Sequence, residues 1–176
     1  MPKRPIETVE FFIVMTALRA ELTQHRAHVY IFYTEAHKRL ASKQDGFENA
    51  IAQAERVFSG DPQCGSPCIG QKELLAGLAQ LAHEKHVKIA LLCGPVKVAR
   101  DMAVQLEKDH PGFRGLIAID LPPSYDTNET ITGQVIASIN QSGADIVLIS
   151  SLLRNQEVWL ANYRHRCNCS IMIGLH

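Results

Sequence analysis

The sequence predicts an α/β fold with a mostly parallel sheet and helices on both faces, which is a Rossmann-like architecture. The first observation is a set of short apolar runs at residues 88–93, 116–120, 145–151 and 170–175. The second is that each of the first three runs is followed by a turn and then by a segment of helical period, which is typical of a parallel sheet. Ligands usually bind at the carboxyl ends of such strands. The residues that follow the runs are therefore the candidates for function.

The length and net charge of the chain limit the kinds of protein that it can be. At 176 residues it is predicted to be a single domain, 1–176, that buries roughly two-thirds of the surface its unfolded chain exposes. Its 18 basic and 18 acidic residues cancel, so no nucleic-acid partner is expected. The apolar run at 11–15 is too short for a signal peptide or a membrane span. We therefore predict a cytoplasmic protein with reduced cysteines and no membrane-spanning segment.

The first half of the chain reads as helices alternating with short strands. Its apolar residues recur at three- and four-residue spacing in the helices, while the first strand is β-branched and aromatic. A segment rich in proline and glycine is read as a loop. The predicted elements are a helix at 6–24, a strand at 28–33, helices at 34–40 and 47–55, a strand at 56–58, a loop at 59–70 and a helix at 71–85.

In the second half, capping residues mark where the helices should begin. Pro95 is predicted to be the first residue of a helix that runs to about Lys108, because that position needs no N–H partner. Asp126 is predicted to be the N-cap of the next helix, with Glu129 at capping-box spacing, and Gly143 should end that helix. A last helix is predicted at 155–166.

Five segments of this half resemble the WecG/TagA/CpsF glycosyltransferase family, in order and with compatible spacing. They are KIALLCGPVKVA at 88–99, HPG at 110–112, INQSGADIVLI at 139–149, NQEVW at 155–159 and IMIG at 171–174. The resemblance extends from about Gly70 to Gly174, with a fainter likeness over 5–58. Gln156 and Glu157 before Trp159 are its most specific part.

The resemblance implies an inverting enzyme that transfers an N-acetylmannosamine-type sugar from a UDP donor to a lipid-linked acceptor in cell-surface polysaccharide synthesis. It implies Asp61 as the catalytic base that accepts the proton of the acceptor hydroxyl. The substrate contacts that it implies are Thr34, Gly94, Lys97, Gln156 and Glu157. This chemistry needs no redox cofactor, and no metal is expected.

The functional loops differ from the family's pattern. Where the family has Asp-Gly after its second strand, this chain has Gly60-Asp61, and the family's glycine-rich segment before Gln-Glu reads SSLLRN at 150–155. The family's C-terminal tail is also expected to be absent. The alternative is therefore a catalytically inactive relative that binds a nucleotide-sugar or a protein partner as a regulatory or assembly subunit. A truncated remnant would expose an apolar edge, which homo-oligomerisation would cover.

Each candidate also has a purely structural interpretation. Gln156 and Glu157 can simply be first-turn polar residues that complement the helix dipole. Gly94 can belong to an ordinary strand-to-helix turn, and Asp61 before Pro62 can be a turn former. The sequence alone supports both these structural interpretations and the functional ones.

The cysteines and histidines offer weaker signals. Cys64 and Cys68, with Cys167 and Cys169, have neither the spacing of a zinc ribbon nor a topology that brings the pairs together, so buried thiols are favoured over a metal site. Most histidines, His28 among them, are expected at the surface.

Overall fold

The computed structural model describes residues 7–24, 27–33, 42–43, 45–54, 56–59, 71–94, 97–150 and 155–175. Its strands are β1 (His28–Tyr33), β2 (Arg56–Ser59), β3 (Ile89–Cys93), β4 (Ile117–Asp120), β5 (Ile146–Ile149) and β6 (Ile171–Gly174). They form one six-stranded sheet in the order β2-β1-β6-β5-β3-β4. Every strand pairing in it is parallel. The predicted α/β, Rossmann-like fold class is confirmed.

Helices cover both faces of the sheet. They are α1 (Glu7–Glu21), α2 (Phe47–Gln53), α3 (Gln71–Lys85), α4 (Val98–Asp109), α5 (Glu129–Ser142) and α6 (Gln156–Tyr163), which is followed by a 3-10 turn (Arg164–Arg166). Helices α1, α3 and α4 contribute to one hydrophobic core. Helices α5 and α6 contribute to the second core on the opposite face, with part of α2 packed against it. The sheet is thus enclosed between two layers.

The strand sequences follow from their positions in the sheet. All five residues of β3 are buried, with Leu91 in one core and Leu92 in the other, because successive side chains point to opposite faces. A strand covered on both faces is apolar throughout. Strand β4 lies at an edge and alternates between half-buried and exposed residues.

Several sequence-based boundaries need correction. The N-cap of α5 is Asn128, whose side chain accepts hydrogen bonds from the N–H groups of Thr130 and Ile131, so the expectation that Asp126 caps this helix is wrong. Aspartate and asparagine both suit an N-cap position. The helix starts two residues later than predicted because residues 126 and 127 belong to the turn before α5. Gly143 does end α5, in the left-handed conformation. The helix predicted at 34–40 lies outside the described residues.

His28 is buried, not at the surface as expected. It opens β1, and its Nε2 lies 3.0 Å from Oε1 of Gln24 while its Nδ1 lies 3.7 Å from Oε1 of Glu21. Its backbone pairs with Ile171 of β6, and the polar neighbours of its side chain come from the segment just before β1. This cluster lies at the amino end of β1, away from the edge where the candidate site residues gather.

Candidate functional site

The carboxyl ends of β3, β5 and β6 lie side by side. The N–H of Ser150, just after β5, donates to the carbonyl of Leu92 in β3 at 3.0 Å. The N–H of Leu175, just after β6, donates to the carbonyl of Ile149 in β5 at 2.9 Å. Strand pairing therefore continues one residue past the strands, and the loops that follow them share one edge. This is the edge at which parallel α/β sheets bind ligands.

Gly94 and Lys97 connect β3 to α4. Gly94 is buried and Lys97 is exposed. Lys97 has a φ of 78°, in the left-handed region, and its carbonyl accepts from the N–H of Asp101 at 3.0 Å. Because a left-handed residue cannot continue into a right-handed helix, α4 begins at Val98. Pro95, which the sequence predicts as the first helical residue, lies outside the described residues.

This arrangement leaves an exposed ammonium group at the positive end of the α4 dipole. Both the first-turn N–H groups of a helix and a nearby cation attract phosphate oxygens. The start of α4 thus combines an exposed lysine with the N–H groups of a helix N-terminus.

Gln156 and Glu157 open α6, as the sequence predicted. Asn155 precedes them with a φ of 56°, a left-handed conformation that asparagine tolerates better than most residues. Gln156 is 0% exposed and Glu157 is 1% exposed. The Nε2 of Gln156 donates to the carbonyl of Leu175 at 3.2 Å, so this amide ties the start of α6 to the end of β6. The burial of both side chains could not be read from the sequence.

Two buried aromatic residues, Tyr125 and Trp159, lie near the start of α6. Tyr125 is 3% exposed, and burial raises the pKa of its phenol, with the carboxylates of Asp126 and Glu157 raising it further. Its ring lies 6.0 Å from that of Trp159. The phenol therefore stays protonated to a higher pH than that of an exposed tyrosine.

Asp126 has a different role from the one predicted. Its Oδ2 accepts a hydrogen bond from Nδ2 of Asn155 at 2.8 Å. This contact joins the loop after β4 to the residue that starts α6. Sequence reasoning missed it because the two residues are far apart in the chain and each fits a local turn.

Gly112 and Gly174, which belong to the quoted HPG and IMIG segments, lie where backbone approaches other atoms closely. A Cβ on Gly112 would lie 2.6 Å from the carbonyl oxygen of Ala79 in α3. A Cβ on Gly174 would lie 3.2 Å from Cδ1 of Leu160 and 3.4 Å from Nε2 of Gln156. These glycines allow close packing. The first supports the fold, and the second also makes room for Gln156.

A pocket of about 120 Å³ opens along the side of α6. We call it the α6 pocket. Its lining includes Asp45, Asp126, Thr127, Asn155, Trp159 and Asn162. The Nε1 of Trp159 is buried and has no hydrogen-bond partner among the described residues. No sequence signal pointed to this pocket, because its lining comes from three separate segments.

The cysteines of the described residues are buried thiols. Burial is the main cause that raises the pKa of Cys167 to about 11 and that of Cys169 to about 12. Cys64 and Cys68 lie outside the described residues.

Two predicted site residues, Thr34 and Asp61, also lie outside the described residues. The structure places Gly94 and Lys97 between β3 and α4, and it places Gln156 and Glu157 at the start of α6, the helix that follows β5. Gln156 reaches the end of β6, which is hydrogen-bonded to β5. The described candidate residues thus follow strands β3 and β5, which are neighbours in the sheet.

Comparison with known proteins identifies one family. The model of the family described as Glycosyl transferase WecG/TagA/CpsF family matches residues 69–175, which confirms the resemblance seen in the motifs. This range contains β3 to β6 and α3 to α6. No curated protein matches the chain. In the part of the chain that the structure describes, none of the helices combines the length and apolar character needed to cross a bilayer.

Proposed function

Because the chain belongs to the WecG/TagA/CpsF glycosyltransferase family, a family of cell-surface polysaccharide synthesis, we propose that it transfers an N-acetylmannosamine-type sugar from a UDP donor to a lipid-linked acceptor. The observation that carries the proposal is the family match over 69–175, which includes the Gln156-Glu157 pair at the carboxyl edge of the sheet. The substrates and the residue roles are our inference.

The donor's diphosphate is assigned to the connection between β3 and α4. The ammonium group of Lys97 is exposed at the N-terminus of α4, and the departing diphosphate is the group whose negative charge grows during transfer. Gly94 adds a residue without a side chain, which permits a close backbone approach. The family resemblance assigns contacts with the sugar or the nucleotide to Thr34, Gln156 and Glu157.

The reaction is a single displacement. The oxygen of the acceptor hydroxyl forms a bond to the anomeric carbon, the bond from that carbon to the diphosphate oxygen breaks, and UDP leaves with the electron pair. The carboxylate of Asp61 takes the hydroxyl proton. Neither a redox cofactor nor a metal is needed for this balance.

A second candidate function is a non-catalytic relative that retains the donor site. The burial of Gln156 and Glu157, at 0% and 1% exposure, favours it, because such side chains support the helix start even without a substrate. Such a relative binds UDP or a UDP-sugar and acts as a regulatory or assembly subunit without transferring the sugar.

The test is calorimetric titration with UDP and with UDP-N-acetylhexosamines. Lys97→Ala should weaken UDP binding about tenfold or more, because a hydrogen bond to a charged group contributes about 1.5–3 kcal/mol. Lys108→Ala is the matched control, since it removes the same side chain from the other end of α4. Gln156→Ala should also weaken binding.

Transfer activity separates the two functions. Sugar transfer that Asp61→Asn abolishes supports the enzyme. UDP-sugar binding without transfer supports the regulatory relative. No saturable heat with millimolar UDP or UDP-sugar contradicts both.

A further inference from the structure

The start of α6 is tied to the loop after β4 by a pair of side chains. The Nδ2 of Asn155 donates to Oδ2 of Asp126 at 2.8 Å, although the two residues are 29 positions apart in the chain. Asn155 is the residue before α6, and Asp126 belongs to the turn before α5. The contact therefore joins two separate connections at the carboxyl edge of the sheet.

This contact uses a side chain that would ordinarily cap its own helix. Asparagine at an N-cap usually accepts hydrogen bonds from first-turn N–H groups, as Asn128 does at the start of α5. Asn155 has a left-handed φ of 56°, and within the described residues its side chain makes no cap bond to α6. The side chain of Asn155 is thus committed to Asp126 instead of to its own helix.

The loop that supplies Asp126 is itself held in place. The N–H of Tyr125 donates to the carbonyl of Pro122 at 3.0 Å, and the carbonyl of Tyr125 accepts from the hydroxyl of Thr132 in α5. The ring of Tyr125 lies 6.0 Å from that of Trp159 in α6. A polar contact and an aromatic contact therefore join the same anchored loop to the same helix.

Gln156, the residue after Asn155, is held from the other side. Its Nε2 donates to the carbonyl of Leu175 at 3.2 Å, and the residue is 0% exposed. The carbonyl of Asn155 accepts from the N–H of Trp159 at 2.9 Å, so the backbone of Asn155 belongs to the first hydrogen-bonded turn of α6. A shift of Asn155 therefore moves the buried amide of Gln156 relative to the end of β6.

We propose that Asp126 is a positioning residue of the donor site, which fixes Gln156 through its hydrogen bond to Asn155. The inference rests on the proposed function, because the family resemblance assigns Gln156 to the nucleotide-sugar. Asp126 acts without touching the donor. Its carboxylate restricts the first turn of α6 to one orientation before the donor arrives, and preorganisation of this kind lowers the cost of binding.

Amide hydrogen exchange, measured by NMR, tests the positioning without any donor. Asp126→Ala should speed exchange of the Trp159 N–H about two- to tenfold, because the loss of one hydrogen bond eases local opening by that factor. Asp109→Ala is the matched control and should leave this exchange unchanged. Asp109 also accepts from a carboxamide, that of Gln105 at 2.9 Å, but it lies at the end of α4. Unchanged exchange in Asp126→Ala overturns the proposal.

An exchange of the two side chains tests the contact itself. Asn155→Asp alone places a second carboxylate against Asp126, and their repulsion should speed exchange of the Trp159 N–H, although aspartate tolerates the left-handed conformation. The double variant Asp126→Asn/Asn155→Asp again pairs one carboxylate with one carboxamide. Its exchange rate should return to within about twofold of the wild-type rate. A double variant that exchanges as fast as Asn155→Asp contradicts the proposal.

Calorimetry with UDP-N-acetylmannosamine measures whether the positioning affects donor binding. Asp126→Ala should weaken binding about two- to tenfold, and no more than Gln156→Ala does, because Asp126 acts through Gln156. Combined with Gln156→Ala it should change affinity by less than about twofold, whereas combined with Lys97→Ala it should have its full effect. A role in stability alone would leave the donor affinity of the folded protein unchanged. Unchanged affinity in Asp126→Ala, or full additivity with Gln156→Ala, overturns the proposal.

The two measurements separate this inference from the proposed function. If the wild type binds no UDP-sugar, the donor assignment is wrong. Faster exchange in Asp126→Ala that the double variant reverses then still supports the positioning of Gln156 by Asp126, and unchanged exchange overturns it. If the wild type binds the donor and only the exchange result fails, the proposed function stands without this role for Asp126.

Discussion

The amide of Gln156 occupies space that Gly174 leaves empty, since a Cβ at residue 174 would lie 3.4 Å from its Nε2. The same Cβ would lie 3.2 Å from Cδ1 of Leu160, so two α6 side chains pack directly on the end of β6. The position of the candidate donor residue thus depends on a glycine from a neighbouring strand.

Gly174→Ala should lower the free energy of unfolding by about 1 kcal/mol, the lower end of the range for overpacking, because Leu160 and Gln156 must shift by a few tenths of an ångström. It should also weaken UDP binding by displacing Gln156. Urea unfolding and calorimetry measure the two effects. The control is Gly133→Ala in α5, where the nearest atom lies 3.9 Å from the added Cβ and where alanine should stabilise by roughly 0.5–1 kcal/mol. A Gly174→Ala protein as stable as the wild type would contradict this packing.

Gly112→Ala should be the more damaging substitution. The added Cβ would lie 2.6 Å from a backbone oxygen of α3, which cannot rotate away as a side chain can. We expect a loss of about 3 kcal/mol, the upper end of the range for overpacking, measured as a lower denaturant midpoint. UDP affinity of the remaining folded protein should not change, because Gly112 supports the fold. Equal stability of the Gly112→Ala and Gly133→Ala proteins would rule out the contact.

Asn128→Ala should destabilise the protein by about 1 kcal/mol, the usual effect of losing a helix N-cap. Its Oδ1 lies 3.0 Å from the N–H of Thr130 and 3.2 Å from that of Ile131. Asn128→Ser should be nearly neutral because serine caps as well as asparagine. Thermal unfolding compares the two. If Asn128→Ser were as unstable as Asn128→Ala, capping would not be the cause.

Stability should fall in acid partly through Glu129. A hydrogen bond from Arg166 at 2.6 Å is the main cause that lowers the pKa of this carboxyl, and a second comes from Tyr163. A lowered folded-state pKa favours folding above the unfolded-state pKa, and that contribution disappears as pH falls through the folded-state pKa. The difference in melting temperature between wild type and Glu129→Gln should therefore be larger at neutral pH than in acid. Arg166→Gln should reproduce this pH dependence, and a difference that does not change with pH would refute it.

The fold could be predicted because its main signals are local. Strands β3, β5 and β6 are fully buried, so each appears in the sequence as a continuous apolar run. Helix starts were less predictable. Asp126 and Asn128 are both suitable N-caps, and only the loop after β4, where Asp126 binds Asn155, decides between them. The left-handed conformation of Lys97 likewise has no sequence signal.

The sequence predicted where the candidate site residues lie along the chain and the sheet, but it did not predict the contacts of their side chains. The sequence placed Gln156 at a helix start beside the carboxyl edge, but its bond to Leu175 depends on how β6 pairs with β5. The α6 pocket was not predictable, because Asp45 and Asn162 come from distant parts of the chain and meet through the packing of α2 on α6.

The strand order has a consequence for how the chain acquires its structure during synthesis. Strand β6 lies between β1 and β5, and it is the element that joins the β2-β1 pair to the β5-β3-β4 group. Ribosomal synthesis delivers β1 well before β6, so β1 has an unpaired edge until residue 171 and its neighbours emerge. Contacts between such distant residues form slowly, and exposed strand edges promote aggregation in the interval. Completion of this sheet is therefore a late step, and β1 has an unpaired edge until β6 is inserted.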